Sequence, residues 1–272
     1  MEKFHLHLVS DATGETATSI ARACLVQFEG AEPVWHAWNL VRTKRQLENV
    51  ISGIERNPGM VMFTLVNPKL RSTLEEACRS VEVPYVSILD PAIAAFSGYL
   101  GVKSRGKPGL QHALDAEYFH RIDAIGYVLA HDDGQAAKDL DEADVILVGV
   151  SRTSKTPTCI YLANRGIKAA NVPLVPGCAL PAELVSATSP LTVGLTKDPA
   201  RLVQVRRNRM RVLKQDDATD YIDLDSVKKE MAAARRIFTR HKWPVIDVTR
   251  RSIEEVAAAI MQLYDRRAGR IT

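Results

Sequence analysis

Short apolar runs alternate with longer, charge-bearing segments along most of this chain, and that alternation restricts its fold more than any other feature. Residues 4–9, 34–40, 60–66 and 83–89 are apolar, rich in β-formers and too brief to be buried helices. Between them, residues 16–28, 44–54 and 70–80 have helical length and composition. Pro58-Gly59 breaks the second helix and Asp90-Pro91 closes the fourth strand. Strand and helix alternating across short loops predict a parallel sheet covered by helices.

The rhythm lapses at residues 98–109, where Gly98, Gly101, Gly106, Gly109 and Pro108 surround Lys103, Arg105 and Lys107. This reads as an exposed loop or linker with a solvated basic face, the other reading being contact with another molecule or a phosphate. A helix is expected at residues 113–125, then a polar turn at His131-Asp132-Asp133-Gly134. The alternation restarts with strands at 145–150, 172–175, 191–195 and 243–248 and helices at 155–164, 198–213 and 226–241. Gly166 stops the first of these helices, and Ser252 caps a final one that carries Glu254 and Glu255 in its first turn. The expectation is an α/β protein, with an N-terminal parallel βα domain (residues 1–136) followed by a C-terminal domain (residues 137–272) that Gly149, Lys155 and Thr156, spaced as in a phosphate loop after an apolar strand, mark as P-loop kinase-like.

Composition narrows the function classes. A chain of 272 residues that is 46% apolar and 25% charged buries a sizeable core. Its net charge of +4 demands neither nucleic acid nor a membrane, and no run reaches the ~18 apolar residues of a membrane span. No secretory layout opens the chain, so the cytoplasm is the expected address. Cys24, Cys78, Cys159 and Cys178 lack metal-ligand spacing and read as small apolar residues in a reducing compartment. Trp35, Trp38 and Trp243 read as core packing.

The segment that carries chemistry follows the apolar run at 145–150. Gly149, Val150, Ser151, Arg152, Thr153, Ser154, Lys155 and Thr156 reproduce the phosphate-loop pattern of Gly, four residues, then Gly-Lys-Ser/Thr, with Ser154 in place of the second glycine. A tight loop between strand and helix aims several amide groups at one point, and the helix N-terminus adds partial positive charge. Lys155 supplies a full charge, and Thr156 offers a hydroxyl to Mg2+. Serine at position 154 is costly if that residue takes positive φ.

Transfer of a phosphoryl group to a hydroxyl also needs a proton acceptor. Asp11, His131, Asp132 and Asp133 have the right chemistry. The residues alone leave His131-Asp132-Asp133-Gly134 open between a base or metal cluster and a polar turn, and Asp11 between a base and a helix N-cap. Asp247 ends an apolar run and reads as a turn cap more than as a magnesium-orienting carboxylate. Arg201, Arg206, Arg207, Arg209 and Arg211 lie on one helix, with Arg206 and Arg209 sharing a face. A solvated face is expected there, with a phosphate-clamping lid as the alternative.

Residues 149–176, GVSRTSKTPTCIYLANRGIKAANVPLVP, resemble the signature of the pyruvate, phosphate dikinase regulatory proteins. Residues 5–16 (HLHLVSDATGET), 115–119 (DAEYF), 131–134 (HDDG) and 243–255 (WPVIDVTRRSIEE) resemble the same family in the same order. The resemblance implies a bifunctional enzyme acting on a threonine of pyruvate, phosphate dikinase. ADP is the implied donor in one direction, leaving AMP; inorganic phosphate removes the phosphoryl group in the other, leaving pyrophosphate. A related group acts on phosphoenolpyruvate synthase, and the Thr-Ser-Lys-Thr loop is more similar to the dikinase group. A homodimer is compatible with these features. The competing expectations are an ATP-dependent kinase for a small metabolite and a nucleotide-sensing module without catalysis.

Overall fold

The computed structural model describes residues 3–110, 116–134, 139–213 and 220–270. The chain divides into two compact units, Met1–Ala113 and Leu114–Thr272. The boundary expected at 136/137 lies outside the described residues, as do the start of the helix expected at 113 and the first residue of the 115–119 stretch.

In the first unit, β1 (Phe4–Ser10), β2 (Pro33–Trp38), β3 (Gly59–Thr64) and β4 (Tyr85–Ser87) form a wholly parallel sheet in the order β2-β1-β3-β4. Side chains alternate across a strand, so β1 feeds two cores. Leu6 and Leu8 pack with Ala17 and Ala21 of α1 (Glu15–Leu25). Val9 packs on the other face with Leu47, Val50 and Ile54 of α2 (Lys44–Arg56) and Leu74 and Cys78 of α3 (Pro68–Ser80). Each such aliphatic side chain contributes roughly 1.5–3 kcal/mol when fully buried. Thr43 and Gln46 cap α2 reciprocally, and Asn67 caps α3 ahead of Pro68.

Two expectations for this unit are corrected. Asp90-Pro91 opens a helix, α4 (Asp90–Leu100), where a strand-ending turn was expected. Proline lacks an amide that the first helical turn does not use, so it starts a helix as readily as it ends a strand. Trp35 is 42% exposed, because β2 is an edge strand and this residue lies off the packed faces; Trp38 does pack against the α2 cluster. Lys103, Arg105 and Lys107 are exposed, as expected.

In the second unit, β5 (Val145–Gly149), β6 (Ala169–Pro173), β7 (Leu191–Thr196) and β8 (Val245–Asp247) form another parallel sheet, in the order β6-β5-β7-β8. Every residue of β5 is buried. Val145 and Leu147 face α5 (Ala116–Ala130), α6 (Lys155–Ala163) and α10 (Ile253–Arg267). Ile146 and Val148 face α7 (Ala182–Ser186), α8 (Pro199–Leu213) and α9 (Leu224–His241). Ser252 and Glu255 form the capping box of α10. β6 begins at Ala169, three residues before the expected strand, because two alanines and Asn171 do not read as strand in sequence. Helix α5 and the turn after it pack against α6 and β6, so His131 to Gly134 share a unit with the 149–156 loop.

The chain leaves β5 toward β6 on one side and returns to β7 on the other. Oppositely directed connections open a crevice at the carboxyl ends of β5 and β7, where open α/β sheets bind ligands. Gly149, the last residue of β5, stands at that crevice.

Candidate functional site

Close approach fixes the glycine at 149. A Cβ built there lies 2.8 Å from Thr153 Oγ1 and 2.9 Å from the Leu195 carbonyl of β7, too near for any side chain. Beyond it, three cationic side chains hold three successive loop carbonyls. Lys155 Nζ donates to Val150 O at 3.0 Å, Arg206 Nη2 to Ser151 O at 3.2 Å, and Lys197 Nζ to Arg152 O at 3.3 Å. Thr153, fully buried, also donates to Val150 O at 2.9 Å.

Arg152 and Ser154 both take left-handed backbone, with φ of 69° and 64°. The strain anticipated for a serine at 154 is therefore present, at roughly 1–2 kcal/mol for a residue with a Cβ. Ser154 is the N-cap of α6, yet its side chain makes no capping hydrogen bond. The amides of the first turn of α6 have no intrahelical acceptors and retain the partial positive charge of a helix start.

Lys155 is 5% exposed. Burial pulls its pKa down to about 8, against the opposing attraction of Asp133 and Asp132. Asp132 lies in the 3-10 turn after α5 and accepts from Thr156 Oγ1 at 2.9 Å. Asn171, inside β6, donates its amide to Asp132 at 2.6 Å, Thr156 Oγ1 at 3.0 Å and Asp133 at 3.2 Å. Asp133 itself is left-handed, φ 49°, which curls the turn onto β6. Asn171 Oδ1 is buried without a partner. His131 stacks on Tyr127 at 3.8 Å and hydrogen-bonds the Tyr127 carbonyl through Nδ1 at 2.9 Å, leaving Nε2 buried and unpaired.

The structure thus brings Lys155, Thr156, Asp132 and Asp133 together, with His131 adjoining them in the chain. Asn171, Lys197 and Glu230 are contributors that sequence reasoning missed. A polar residue inside an otherwise apolar strand was the available signal for Asn171; lysine and glutamate in helix and loop text carry none.

The solvated face expected for this helix holds for its other arginines, but Arg206 departs from it. It is neither solvated nor part of an open lid: it is 1% exposed and pairs with Glu230 of α9 at 2.7 and 3.0 Å. Arg201, Arg207, Arg209 and Arg211 are exposed. Asp247 accepts from Thr249 N at 2.8 Å and caps its turn. Cys78 and Cys159 are buried, whereas Cys24 and Cys178 are exposed, unlike the small apolar residues expected.

Asp11 belongs to the first unit. Gly14, not Asp11, is the N-cap of α1. The Asp11 carboxylate instead accepts from Val66 N at 2.8 Å, tying the end of β1 to the residues after β3. Burial raises its pKa. With Ser10, Thr64 and Val66 it lines a small pocket of about 250 Å³ at that unit's own sheet crevice.

Among the described residues no helix is long and apolar enough to cross a membrane. The profile of the Kinase/pyrophosphorylase family matches residues 6–261. A pyruvate, phosphate dikinase regulatory protein of Paramagnetospirillum magneticum is 61% identical over 98% of this chain and 86% of its own length. Proteins of the same name from Caulobacter vibrioides and Sphingopyxis alaskensis are 54% and 51% identical, each over 98% of this chain and over 85% and 99% of their own lengths. An unbroken match of this extent, covering both units and the loop at the β5 crevice, means that the chain belongs to the kinase/pyrophosphorylase family.

Proposed function

We propose that this protein is a bifunctional regulator of pyruvate, phosphate dikinase, and that the 149–156 loop holds the phosphates in both of its reactions. The supporting observation is the side-by-side placement of an uncapped helix start, a buried Lys155, and a Thr156 hydroxyl against Asp132. With the carbonyls of residues 150, 151 and 152 held by cations, the loop turns its amide face to an anion.

In the kinase direction, the threonine oxygen of the dikinase forms a bond to the β-phosphorus of ADP. The bond from that phosphorus to the bridging oxygen breaks, AMP leaves, and the hydroxyl proton passes to a carboxylate of the Asp132–Asp133 turn beside Lys155 and Thr156. In the reverse direction, an oxygen of inorganic phosphate attacks the phosphothreonine, pyrophosphate forms, and threonine regains its proton. Lys155 tracks the transferring phosphoryl group in both.

The donors around Thr156 fit Mg2+. The Thr156 hydroxyl and the Asp132 carboxylate that accepts from it are hard oxygen donors, of the kind this cation takes in small number beside substrate phosphates. Thr156 and Asp132 would hold it, and it would neutralise charge on the phosphates. Asn171 keeps those two side chains together.

Incubation with purified dikinase and ADP labelled in the β-phosphate tests the proposal. Label is expected on a dikinase threonine and is expected to leave as pyrophosphate when phosphate is added. Lys155→Ala is expected to abolish both steps; phosphorolysis surviving that change would sink the shared cradle, and labelling from ATP alone would sink the donor assignment.

A further inference from the structure

The first unit holds a cluster of imidazoles that take no part in the proposed reaction. His5 and His7 lie on β1 and His36 on β2, with His7 and His36 in register across the paired strands. His7 is 0% exposed, and His5 and His36 are half-buried. Hydrogen bonding fixes the proton on His7. A carbonyl only accepts, so the 2.8 Å contact of Nε2 with the Asn57 carbonyl needs a proton on Nε2. An indole N–H only donates, so the 3.2 Å contact from Trp38 Nε1 needs a bare Nδ1. His7 is therefore a neutral imidazole with both nitrogens satisfied, and a proton added at Nδ1 would set two donors against each other. Trp38 has little room to yield, because its ring lies 2.5 Å from where a Cβ of Gly53 in α2 would stand. Asn57 is the C-cap of α2. One neutral ring thus joins β1, β2 and α2.

His36 stacks on His7, with ring centroids 4.4 Å apart and planes 11° apart. Its Nε2 shares a proton with His5 Nδ1 across 2.8 Å. That pair can take one further proton on an outer nitrogen; a second leaves N–H facing N–H. Among the described residues, the charges acting on His7 are those of His36 and His5, and the charge acting on His36 is that of His5. Gly59 and Val61 of β3, which pair with His5 and His7, carry no charge. Helix α3 presents Leu74 and Cys78 to this side of the sheet, the thiol pushed up to about 11 by burial. Glu55 and Arg56, in the last turn of α2, are exposed. Burial, ahead of repulsion between the rings, holds His7 and His36 below the usual 6.5.

We propose that this cluster is an acid-sensitive latch, in which neutral imidazoles hold β2 and α2 on β1 and their protonation lets β2 and α2 come away. Once opened, the rings are ordinary histidines and take up protons as pH falls through about 6.5. The closed form takes them up only at lower pH. The latch is therefore fully effective above about pH 6.5 and weakens progressively below it. Each ring kept neutral shifts the opening equilibrium by up to about tenfold per pH unit.

Amide exchange of the full chain, corrected for the intrinsic effect of pH on exchange, tests this. Between about pH 7.5 and about pH 5.5, protection in β1, β2 and α2 is expected to fall by about ten- to a hundredfold, and by clearly less in β5 and β6. His7→Gln keeps a donor for the Asn57 carbonyl and an acceptor for the indole but does not titrate, and His36→Gln removes the shared proton. Each change is expected to reduce the loss of protection, and the two together to leave it nearly flat. The ring C–H resonances of the wild-type protein give a measure that needs no variant to fold: His7 is expected to stay neutral in the folded protein down to about pH 5.5. A folded-state His7 titrating near pH 6.5 overturns the proposal. So does a loss of protection that is equal in the two units, or unchanged in both glutamine variants.

Discussion

Lys155 carries two loads that pull against each other. In the proposed role it must be cationic to hold phosphate, yet it is buried and its pKa is drawn down to about 8 from 10.5. Between those values the unfolded chain binds a proton that the folded chain does not, so folding gains stability as pH rises through that window while the cradle loses its charge. A bound diphosphate restores the proton. ADP affinity is therefore expected to be level below pH 7 and to weaken by about tenfold per pH unit above about pH 8. Isothermal titration across that range checks this, and proton uptake accompanying binding at pH 8.5 is the paired signature. A flat profile would mean that a group other than Lys155 bears the phosphate. Ser154 shows the same economy at the backbone: a residue with a Cβ is held left-handed so that the helix start faces the crevice uncapped.

At the scale of elements, the loop is held from behind by two helices. Arg206 of α8 joins Glu230 of α9 and also reaches the Ser151 carbonyl, with its guanidinium 4.3 Å above the Tyr221 ring. Tyr221 in turn hydrogen-bonds Ser151 Oγ at 3.1 Å. Removing one partner of a buried ion pair leaves the other charge stranded, so Arg206→Ala is expected to destabilise the protein by roughly 3–5 kcal/mol. Removing Glu230 as well is expected to cost clearly less than the sum of the single changes. Urea unfolding of the four proteins in the cycle measures the coupling. Additive losses would show that the pair does not act as a unit.

For the whole molecule, two parallel sheets each present a crevice, one at Gly149 and the other at Asp11. If the loop is the phosphate site, ADP at about a hundred times its Kd stabilises the second unit by about 2.7 kcal/mol. Amide exchange is expected to slow in β5, β6 and β7 and to stay unchanged in β1 and β3. Protection appearing in β1 and β3 instead would move the nucleotide to the Asp11 pocket.

Much of this was legible in the chain alone. Apolar periodicity is a local property, so it identified β1, β3, β5 and β7, the helices between them and the parallel class of both sheets. The loop spacing was equally local, because Gly149, Lys155 and Thr156 lie within one strand-to-helix connection. Asp132, Asp133 and Asn171 were different. Their meeting with Thr156 depends on how the turn after α5 packs against β6, and no sequence interval records it. The turn itself was assigned to the first domain, since nothing local shows which sheet a helix will cover. The fate of Arg206 was likewise hidden: its charge suggests solvent, but its partner Glu230 sits on another helix, across the α8–α9 contact. Sequence determined the elements and the strand-to-helix loop at residues 149–156, because those follow from neighbours along the backbone. Tertiary structure alone decided which carboxylates, amides and cations surround that loop, because desolvation and pairing are settled only when distant segments meet.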